Sequence, residues 1–314
     1  MTTIACLGDI DIDLLVDVDR FPARGEESFA ENALIRLGGS AVNTAVVLAR
    51  LGLRPTMLAQ VGDDEFGSRA LAELAAAGVG TEWVARTPAD ITGMNVVVID
   101  PDGERTMIGL RGANRSFGGT WAHQGEWLHV SAYALLEGDQ RKAALAILEQ
   151  ARREGVPISM DVPSGVARAL GPQLVPAFDG VTVLTVGRRS LDPIGRDAAA
   201  LAARCEVVAV TDGDRSVEIR RAGDVFRLTP PSVPVEDTTG AGDSFIAGLV
   251  ASHSWGLDTP VAAVLAAALG AAAVQVPGAG RSLAGSPAAE VLAATDRWPD
   301  AEPAWLEAAR RYVP

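Results

Sequence analysis

One carboxylate stands inside a glycine-rich turn near the C-terminal end of the sequence. The stretch 235–248 reads VEDTTGAGDSFIAG, in which Asp243 follows Gly240 and Gly242 and precedes residues with helical periodicity. A helix that begins here leaves the amides of Ala241, Gly242 and Asp243 without intrahelical partners, so they form an anion site at the positive end of the helix dipole. Asp243 therefore either stabilises the start of the helix or accepts a proton from a hydroxyl group that attacks a bound phosphate.

Two segments carry a resemblance to a known family. DTTGAGDSF at 237–245 resembles the C-terminal signature of the ribokinase family of sugar and nucleoside kinases. GGSAVNTAVVLARLG at 38–52 resembles the N-terminal signature and lies about 200 residues earlier, as that family requires. The resemblance implies a ribokinase-like three-layer α/β sandwich with a mostly parallel central sheet, and phosphoryl transfer from ATP with Mg²⁺. It also implies that Asp243 is the catalytic base and that Gly240, Ala241 and Gly242 form the anion hole.

Aspartates alternate with apolar residues over 9–19, close to the N-terminus. The alternation predicts a strand, whose carboxylates either form a solvated face or accept hydrogen bonds from vicinal hydroxyl groups. The resemblance assigns substrate contacts to Asp11, Asp13, Gly38, Gly39 and Asn43, the two glycines by letting the substrate approach the backbone. Ser40 replaces the lysine that ribokinases proper carry, so ribose is not implied.

Alternating strands and helices must position these residues. Apolar strands are predicted at Ile4–Leu7, Thr56–Val61, Trp127–Ser131, Pro157–Asp161, Val181–Val186 and Glu206–Thr211. Asp139 is the predicted N-cap of one intervening helix, and Thr259 that of an alanine-rich helix. This order predicts a parallel sheet covered on both faces, with ligands at the carboxyl ends of the strands, where Asp161 falls.

A second, small sheet is expected from segments 12–36 and 92–111, inserted in a single domain spanning 1–314. A hairpin is predicted around a turn at 101–103. The resemblance implies that this sheet is a lid over the sugar and the surface of a homodimer. Arg111, where the lid rejoins the body, is either a contact for an anionic substrate or phosphate, or an exposed surface arginine.

The resemblance places the nucleotide at Thr211, Gly213 and Gly278 together with Gly240 and Gly242, and a monovalent cation such as K⁺ at Asp237 and Thr239. The family's Asn-x-x-Glu motif, whose glutamate helps to organise hydrated Mg²⁺, is replaced here by Gly187-Arg188-Arg189-Ser190. How Mg²⁺ is held therefore stays open. The two arginines either meet nucleotide phosphate or are solvated.

Composition narrows the function classes. A net charge of −13 and a pI near 4.7 argue against a nucleic-acid partner. Without a signal peptide or an apolar run of about 18 residues, we expect no membrane partner and a cytoplasmic protein. Cys6 and Cys205 lack metal-binding spacing, which predicts inert thiols.

The sequence favours phosphorylation of a primary hydroxyl of a small sugar or sugar derivative, of the fructokinase or ribokinase type. A nucleoside kinase on the same scaffold is one alternative. A kinase of phosphorylated sugars is another and would need a cationic pocket, for which Arg105, Arg111 and Arg115 are candidates. A catalytically silent regulator is the third, although the intact Asp243 argues against it.

Overall fold

A nine-stranded sheet forms the centre of the computed structural model, which describes residues 2–100, 105–122, 125–276 and 287–313. Within these residues the strands are β1 (Thr3–Leu7), β2 (Asp11–Val18), β3 (Ala30–Gly38), β4 (Arg54–Gly62), β5 (Val84–Thr87), β6 (Gly93–Ile99), β7 (Arg105–Leu110), β8 (Trp127–Ser131), β9 (Ile158–Val162), β10 (Val183–Gly187), β11 (Val207–Thr211), β12 (Val217–Arg221) and β13 (Asp224–Leu228). The helices are α1 (Ser40–Arg50), α2 (Glu65–Ala76), α3 (Gly138–Arg153), α4 (Ser164–Leu170), α5 (Arg188–Ile194), α6 (Ala198–Ala202), α7 (Ala241–Ser254), α8 (Thr259–Ala273), α9 (Pro287–Ala293) and α10 (Pro303–Arg310).

The predicted parallel sheet is confirmed. The strands lie in the order β13-β12-β11-β10-β9-β8-β1-β4-β5, and all neighbours from β11 to β5 are parallel. The hairpin β12–β13 adds two antiparallel strands at one edge. The six predicted apolar strands are all present, with ends that differ by at most two residues. Their continuous apolar runs follow from burial of both faces of the sheet.

Two apolar cores, one on each face of the sheet, complete the predicted three layers. Helix α7 lies between α1 and α8 in one of them. All its residues from Ser244 to Ser252 are buried, so it has no solvated face, whereas the sequence pattern suggested one apolar stripe. A Cβ on Gly248 would stand 2.7 Å from Ala266 Cα, so this glycine allows α7 and α8 to pack closely. The core therefore fixes the helix that begins at the glycine-rich turn.

Two predicted helix starts were wrong by one or two residues. The N-cap of α3 is Glu137 rather than Asp139, because Gly138 has a positive φ of 72° and turns the chain into the helix before the aspartate is reached. The N-cap of α8 is Asp258 rather than Thr259, and its carboxylate accepts a hydrogen bond from the Val261 amide at 3.0 Å. An aspartate one residue before the threonine takes the capping place.

The expected small sheet is present as four strands in the order β3-β2-β6-β7. Its predicted turn at 101–103 lies outside the described residues. Asp64, the N-cap of α2, accepts hydrogen bonds from the Thr92 amide at 2.8 Å and the Thr92 hydroxyl at 2.7 Å, just before β6 begins. These bonds fasten one end of the small sheet to the body. Among the described residues no helix has the length and apolar character to cross a membrane.

Candidate active site

A cavity of about 850 Å³ lies between the small sheet and the carboxyl ends of the central strands. It extends from the aspartates at the start of β2, past Asp243 on α7, to the turn that follows β11. Its position at the strand ends is the one that a parallel sheet favours for ligands. Predicted residues of all three kinds line it: Asp11, Asp13, Gly39, Asn43 and Arg111 for the acceptor, Gly242 and Asp243 for transfer, and Thr211 and Gly213 for the nucleotide.

Asp243 is held at the centre of this cavity by two side chains of α1. The Ser40 hydroxyl donates to Oδ1 at 2.8 Å, and the Asn43 amide nitrogen donates to Oδ2 at 2.8 Å. Burial raises the pKa of Asp243 to about 6, while the hydrogen bonds from Asn43 and Ser40 act in the opposite direction. Such a carboxylate is ionised at neutral pH and is a better base than an exposed aspartate.

The turn before Asp243 has the geometry expected of an anion site. Gly240 caps α7 with a positive φ of 78°, a conformation that favours glycine. The first helical hydrogen bond runs from the Ser244 amide to the Gly240 carbonyl at 2.8 Å. The amides of Gly242 and Asp243 precede that bond and lie at the positive end of the helix.

Asp161, at the carboxyl end of β9, is a second carboxyl group beside Asp243. Its Oδ2 lies 3.4 Å from the Ser40 Oγ, so one hydroxyl contacts both acids. Its Oδ1 is buried and has no hydrogen-bond partner among the described residues. Burial first, and then the charge of Asp243, raise the pKa of Asp161 well above its usual range. Sequence reasoning noted the strand-end position of Asp161 but gave it no role.

The acceptor end of the cavity is acidic. Asp11 accepts a hydrogen bond from Asn114 at 2.8 Å, and Asp13 accepts one from Asn95 at 2.8 Å. Burial and the neighbouring carboxylates Asp9 and Asp13 raise the pKa of Asp11 well above its usual range. Both predicted carboxylates thus line the cavity, and the two asparagines that orient them were missed because they are distant from these aspartates in the sequence.

The protein's own atoms leave no room for a side chain at Gly38 or Gly39, the two glycines of the N-terminal signature. A Cβ on Gly38 would stand 2.4 Å from the Asp13 carboxylate, and one on Gly39, whose φ is 106°, would stand 2.2 Å from the Asp9 carbonyl oxygen. The amide nitrogen of Asn43, predicted to bind substrate hydroxyls, is taken by Asp243, and the Asn43 Oδ1 is buried without a partner among the described residues. These residues therefore shape the acceptor end at least partly by positioning its carboxylates.

Arg111 is bound inside the protein, so the alternative of an exposed surface arginine is wrong. Its guanidinium forms a bidentate ion pair with Asp9, in which Nη2 donates to Oδ1 at 2.9 Å and Nε donates to Oδ2 at 3.1 Å. The side chain of Arg111 is 16% exposed and that of Asp9 is 7% exposed. Gln140 of α3 donates to Asp9 at 2.7 Å and accepts from Arg111. This cluster joins the end of the small sheet to the body, and neither Asp9 nor Gln140 was predicted as a partner.

The nucleotide end of the cavity is open and carries arginines. Thr211 and Gly213 line it, and between them Asp212 lies 3.6 Å from Arg188 and 3.9 Å from Arg215. Arg188 is 47% exposed, so it is available to solvent or to an anion that enters the cavity. Thr211 and Gly213, two of the predicted nucleotide contacts, thus lie at the carboxyl end of β11, where the sequence placed them.

The described residues offer no cluster of three acidic, histidine or cysteine side chains that would hold a metal ion. Gly187 and Ser190, in the places of the missing motif, bring no carboxylate, and the Ser190 hydroxyl is buried without a partner among those residues. The residues here therefore do not fit direct ligation of Mg²⁺.

Asp237, the residue predicted to hold a monovalent cation with Thr239, is 5% exposed, and its Oδ1 accepts a hydrogen bond from the Thr239 amide at 2.6 Å. Gly278, the remaining predicted nucleotide contact, lies outside the described residues.

Comparisons with known proteins agree with the fold and the site. Residues 1–284 match the pfkB family carbohydrate kinases. The ATP-dependent ribose-1-phosphate kinase of Halopiger xanaduensis is 30% identical over 80% of this chain and 85% of its own length, and the ribokinase of Bacillus subtilis is 29% identical over 83% and 89%. The structure of Burkholderia thailandensis nucleoside kinase in complex with inosine has a TM-score of 0.80 and 21% identity, covering 96% of this chain and 99% of that one.

The family match spans most of the chain, and the relatives agree along nearly their whole length. The similar structure has the same fold, and with the sheet and the two cores described above it confirms the predicted three-layer sandwich. The resemblance drawn from the two glycine-rich signatures is thereby confirmed as well. This chain is an enzyme of the pfkB family of carbohydrate kinases.

Proposed function

We propose that this kinase transfers the γ-phosphoryl group of ATP to a primary hydroxyl of a small, neutral sugar or sugar derivative, with Asp243 as the base. One observation carries the proposal. Asp243 lies between an acidic acceptor end and an arginine-bearing nucleotide end of a single cavity, and is oriented by Ser40 and Asn43.

In the proposed reaction the acceptor oxygen attacks the γ-phosphorus while the bond from that phosphorus to the β,γ-bridging oxygen breaks. The hydroxyl proton passes to a carboxylate oxygen of Asp243, and ADP leaves with the electron pair of the broken bond. The amides of Gly242 and Asp243 at the start of α7 stabilise the negative charge on the phosphoryl oxygens. The Ala241 amide, also predicted for this role, contacts the Thr238 carbonyl at 3.5 Å. Positioning and electrostatic preorganisation supply most of the rate.

Mg²⁺ enters this scheme as part of the MgATP substrate. A monovalent cation such as K⁺ would be held by oxygen atoms of Asp237 and Thr239, since a buried carboxylate and a neighbouring backbone are the donor types that such a cation uses. Dependence of the rate on K⁺, with Na⁺ as the control, tests this part of the proposal.

The acceptor end favours a neutral substrate over a phosphorylated one. The guanidinium of Arg111 is bound by Asp9 through Nε and Nη2, while its Nη1 has no partner among the described residues, and Arg115 lies 3.2 Å from Glu137 and is 56% exposed. The side chain of Arg105 lies outside the described residues. Three aspartates line this end together with a single arginine, so a second phosphate would meet more acidic than basic groups there. The residues at this end therefore do not favour a phosphorylated acceptor such as the one named for the ribose-1-phosphate kinase relative.

A nucleoside is the second candidate acceptor, because part of the cavity wall is apolar. Met107 and Leu110 of β7 line the cavity together with Leu136 and Tyr133 from the body. Met107 is 58% exposed and Leu110 is 51% exposed, so an aromatic ring bound there would cover them. A simple sugar would leave this wall in contact with water.

The deciding experiment is ADP production with MgATP and K⁺ across ketoses, aldoses, sugar acids, sugar phosphates and nucleosides, run beside Asp243→Asn. Turnover of one neutral class that disappears in the variant supports the proposal. Turnover of sugar phosphates would overturn the acceptor class. ATP binding without any turnover would favour the silent regulator, which the intact contacts of Asp243 argue against.

We also propose a homodimer formed through the small sheet, in a cytoplasmic protein. Large apolar side chains are exposed on this sheet and beside it, among them Ile108 of β7 at 65% and Phe29, just before β3, at 80%. Such a patch favours an interface. Analytical ultracentrifugation should show a dimer at micromolar concentration that Ile108→Asp weakens, and a monomeric wild type would refute the proposal.

A further inference from the structure

The Ser40 hydroxyl lies between two carboxyl groups, and it has one proton to give. It is 2.8 Å from Asp243 Oδ1 and 3.4 Å from Asp161 Oδ2. Because the shorter contact is the stronger hydrogen bond, the proton points to Asp243. Towards Asp161 the same oxygen presents only lone pairs, so Asp161 can interact favourably with it only by donating a proton of its own.

The surroundings of Asp161 support the protonated form. Asp161 is 8% exposed, and its Oδ1 has no hydrogen-bond partner among the described residues. An ionised carboxylate buried without donors and next to a second anion would be costly. Asp243, in contrast, has a donor on each oxygen, namely Ser40 and Asn43, which is the arrangement that suits a carboxylate.

No charged neighbour in the part of the chain that the structure describes changes this assignment. Tyr133 faces both acids, and burial together with their charges raises the pKa of its hydroxyl to about 12, so it stays neutral. The nearest guanidinium on the acceptor side, that of Arg111, is paired with Asp9. Arg188 and Arg189 line the cavity on the nucleotide side, where Arg188 lies against Asp212. Asp11, a further acid near Tyr133 on the acceptor side, brings no positive charge.

We propose that Asp161 is a positioning residue, held as a neutral acid, which donates its proton to Ser40 and thereby fixes the Ser40 hydroxyl on Asp243. The role rests on the proposed function of Asp243 as the base. In the series Asp161–Ser40–Asp243 the Asp161 carboxyl donates to Ser40 and the Ser40 hydroxyl donates to Asp243, so Asp243 is the only ionised member and the only one that can accept the substrate proton. Ser40 is also the position where ribokinases proper carry a lysine, so this device would take the place of a cationic side chain.

The first test is infrared difference spectroscopy at pH 8, which distinguishes the carbonyl stretch of a protonated carboxyl group from the bands of a carboxylate. We expect a protonated-acid band in the wild type that loses the intensity of one carboxyl group in Asp161→Asn, while any contribution of Asp11 stays unchanged. The exposed Asp296→Asn serves as the matched control and should retain the band. Retention of the full band in Asp161→Asn would overturn the proposal. This readout needs no turnover, so it decides the protonation of Asp161 even if no acceptor is phosphorylated.

The second test is the pH dependence of kcat/KM. In Asp161→Asn a neutral amide replaces a neutral acid and can still donate to Ser40, so the acid limb should stay within about 0.3 pH units of the wild type. Asp161→Ala removes the donor, and the limb should move up by about 0.5–1 pH units, since a less oriented Ser40 stabilises the Asp243 carboxylate less. A downward move of one unit in Asp161→Asn would show that Asp161 is ionised. A wild-type profile for Asp161→Ala would likewise refute the role.

Discussion

Asp243→Asn should abolish most of the activity and at the same time stabilise the fold. The wild-type carboxyl is partly buried, and its pKa is raised from an ordinary 3.8 to about 6. At pH 7 the raised pKa lowers the free energy of unfolding of the wild type by at most about 3 kcal/mol, compared with a protein in which this side chain carries no charge. The asparagine removes this cost, and it need not leave an unpaired donor. The amide oxygen of the new side chain can accept from the Asn43 amide nitrogen as the carboxylate does, while its amide nitrogen donates to the Ser40 Oγ.

The sign of the pH dependence follows from the raised pKa. Below pH 3.8 the wild-type carboxyl is protonated in both the folded and the unfolded states and the two proteins should be equally stable. As the pH rises through about 6, the wild type loses this contribution while the variant does not. The free energy of unfolding of the variant should therefore exceed that of the wild type by an amount that grows between pH 4 and 6 and then stays constant. At pH 7 the melting temperature should be higher by about 4 °C.

Calorimetry across pH 4–8 and ADP production at saturating substrate, run on the same preparations, make the test. Loss of the base should lower kcat by a factor of about 10²–10⁴, or about 3–5 kcal/mol of transition-state stabilisation. ATP binding should change by a few-fold at most. A variant that melts below the wild type at pH 7 would show that the carboxylate is favourably placed in the ground state. A variant that keeps a tenth or more of the turnover would refute the base.

Three further outcomes are expected. The wild-type kcat/KM should fall tenfold per pH unit below about pH 6, because Asp243 must be ionised to accept a proton; a flat profile from pH 5 to 8 contradicts this. Arg111→Met leaves Asp9 buried without its ion pair and should cost about 3–5 kcal/mol in urea unfolding, whereas the exposed Arg115→Met should cost under about 1 kcal/mol; equal losses would contradict the buried pair. His129 is fully buried and burial lowers its pKa to about 3, so wild-type stability should fall, relative to His129→Leu, by up to about 1.4 kcal/mol per pH unit from pH 6.5 downwards; parallel curves for the two proteins would contradict this assignment.

The backbone plan could be predicted from the sequence because it depends on short-range patterns. Continuous apolar runs such as Trp127–Ser131 indicate strands buried on both faces, and the two glycine-rich segments mark the starts of α1 and α7. The N-cap residues of α3 and α8 were predicted one or two residues too late. Several polar residues near a helix start compete for the capping place, and a positive φ such as that of Gly138 decides which one is used.

The partners within the site could not be predicted in the same way. Asp161 is 82 residues from Asp243 in the sequence, and Ser40 is more than 200 residues from it, so only the fold brings the three together. The sequence likewise could not show that Arg111 is bound by Asp9, since their contact spans 102 residues. A polar residue at the end of a buried strand, as Asp161 is, was the available signal. It marks the site without giving the role.

The cavity is built by two parts of the chain that face different constraints. Asp243 lies at the start of a helix whose following residues are buried in the core, so substitutions around it disturb packing as well as chemistry. Met107 and Leu110, which line the acceptor end, belong to an exposed strand of the small sheet, where substitutions change the pocket at little cost in stability. Acceptor preference can therefore drift while the transfer chemistry stays fixed. A directed search for altered acceptors would begin on β7, leaving the start of α7 untouched.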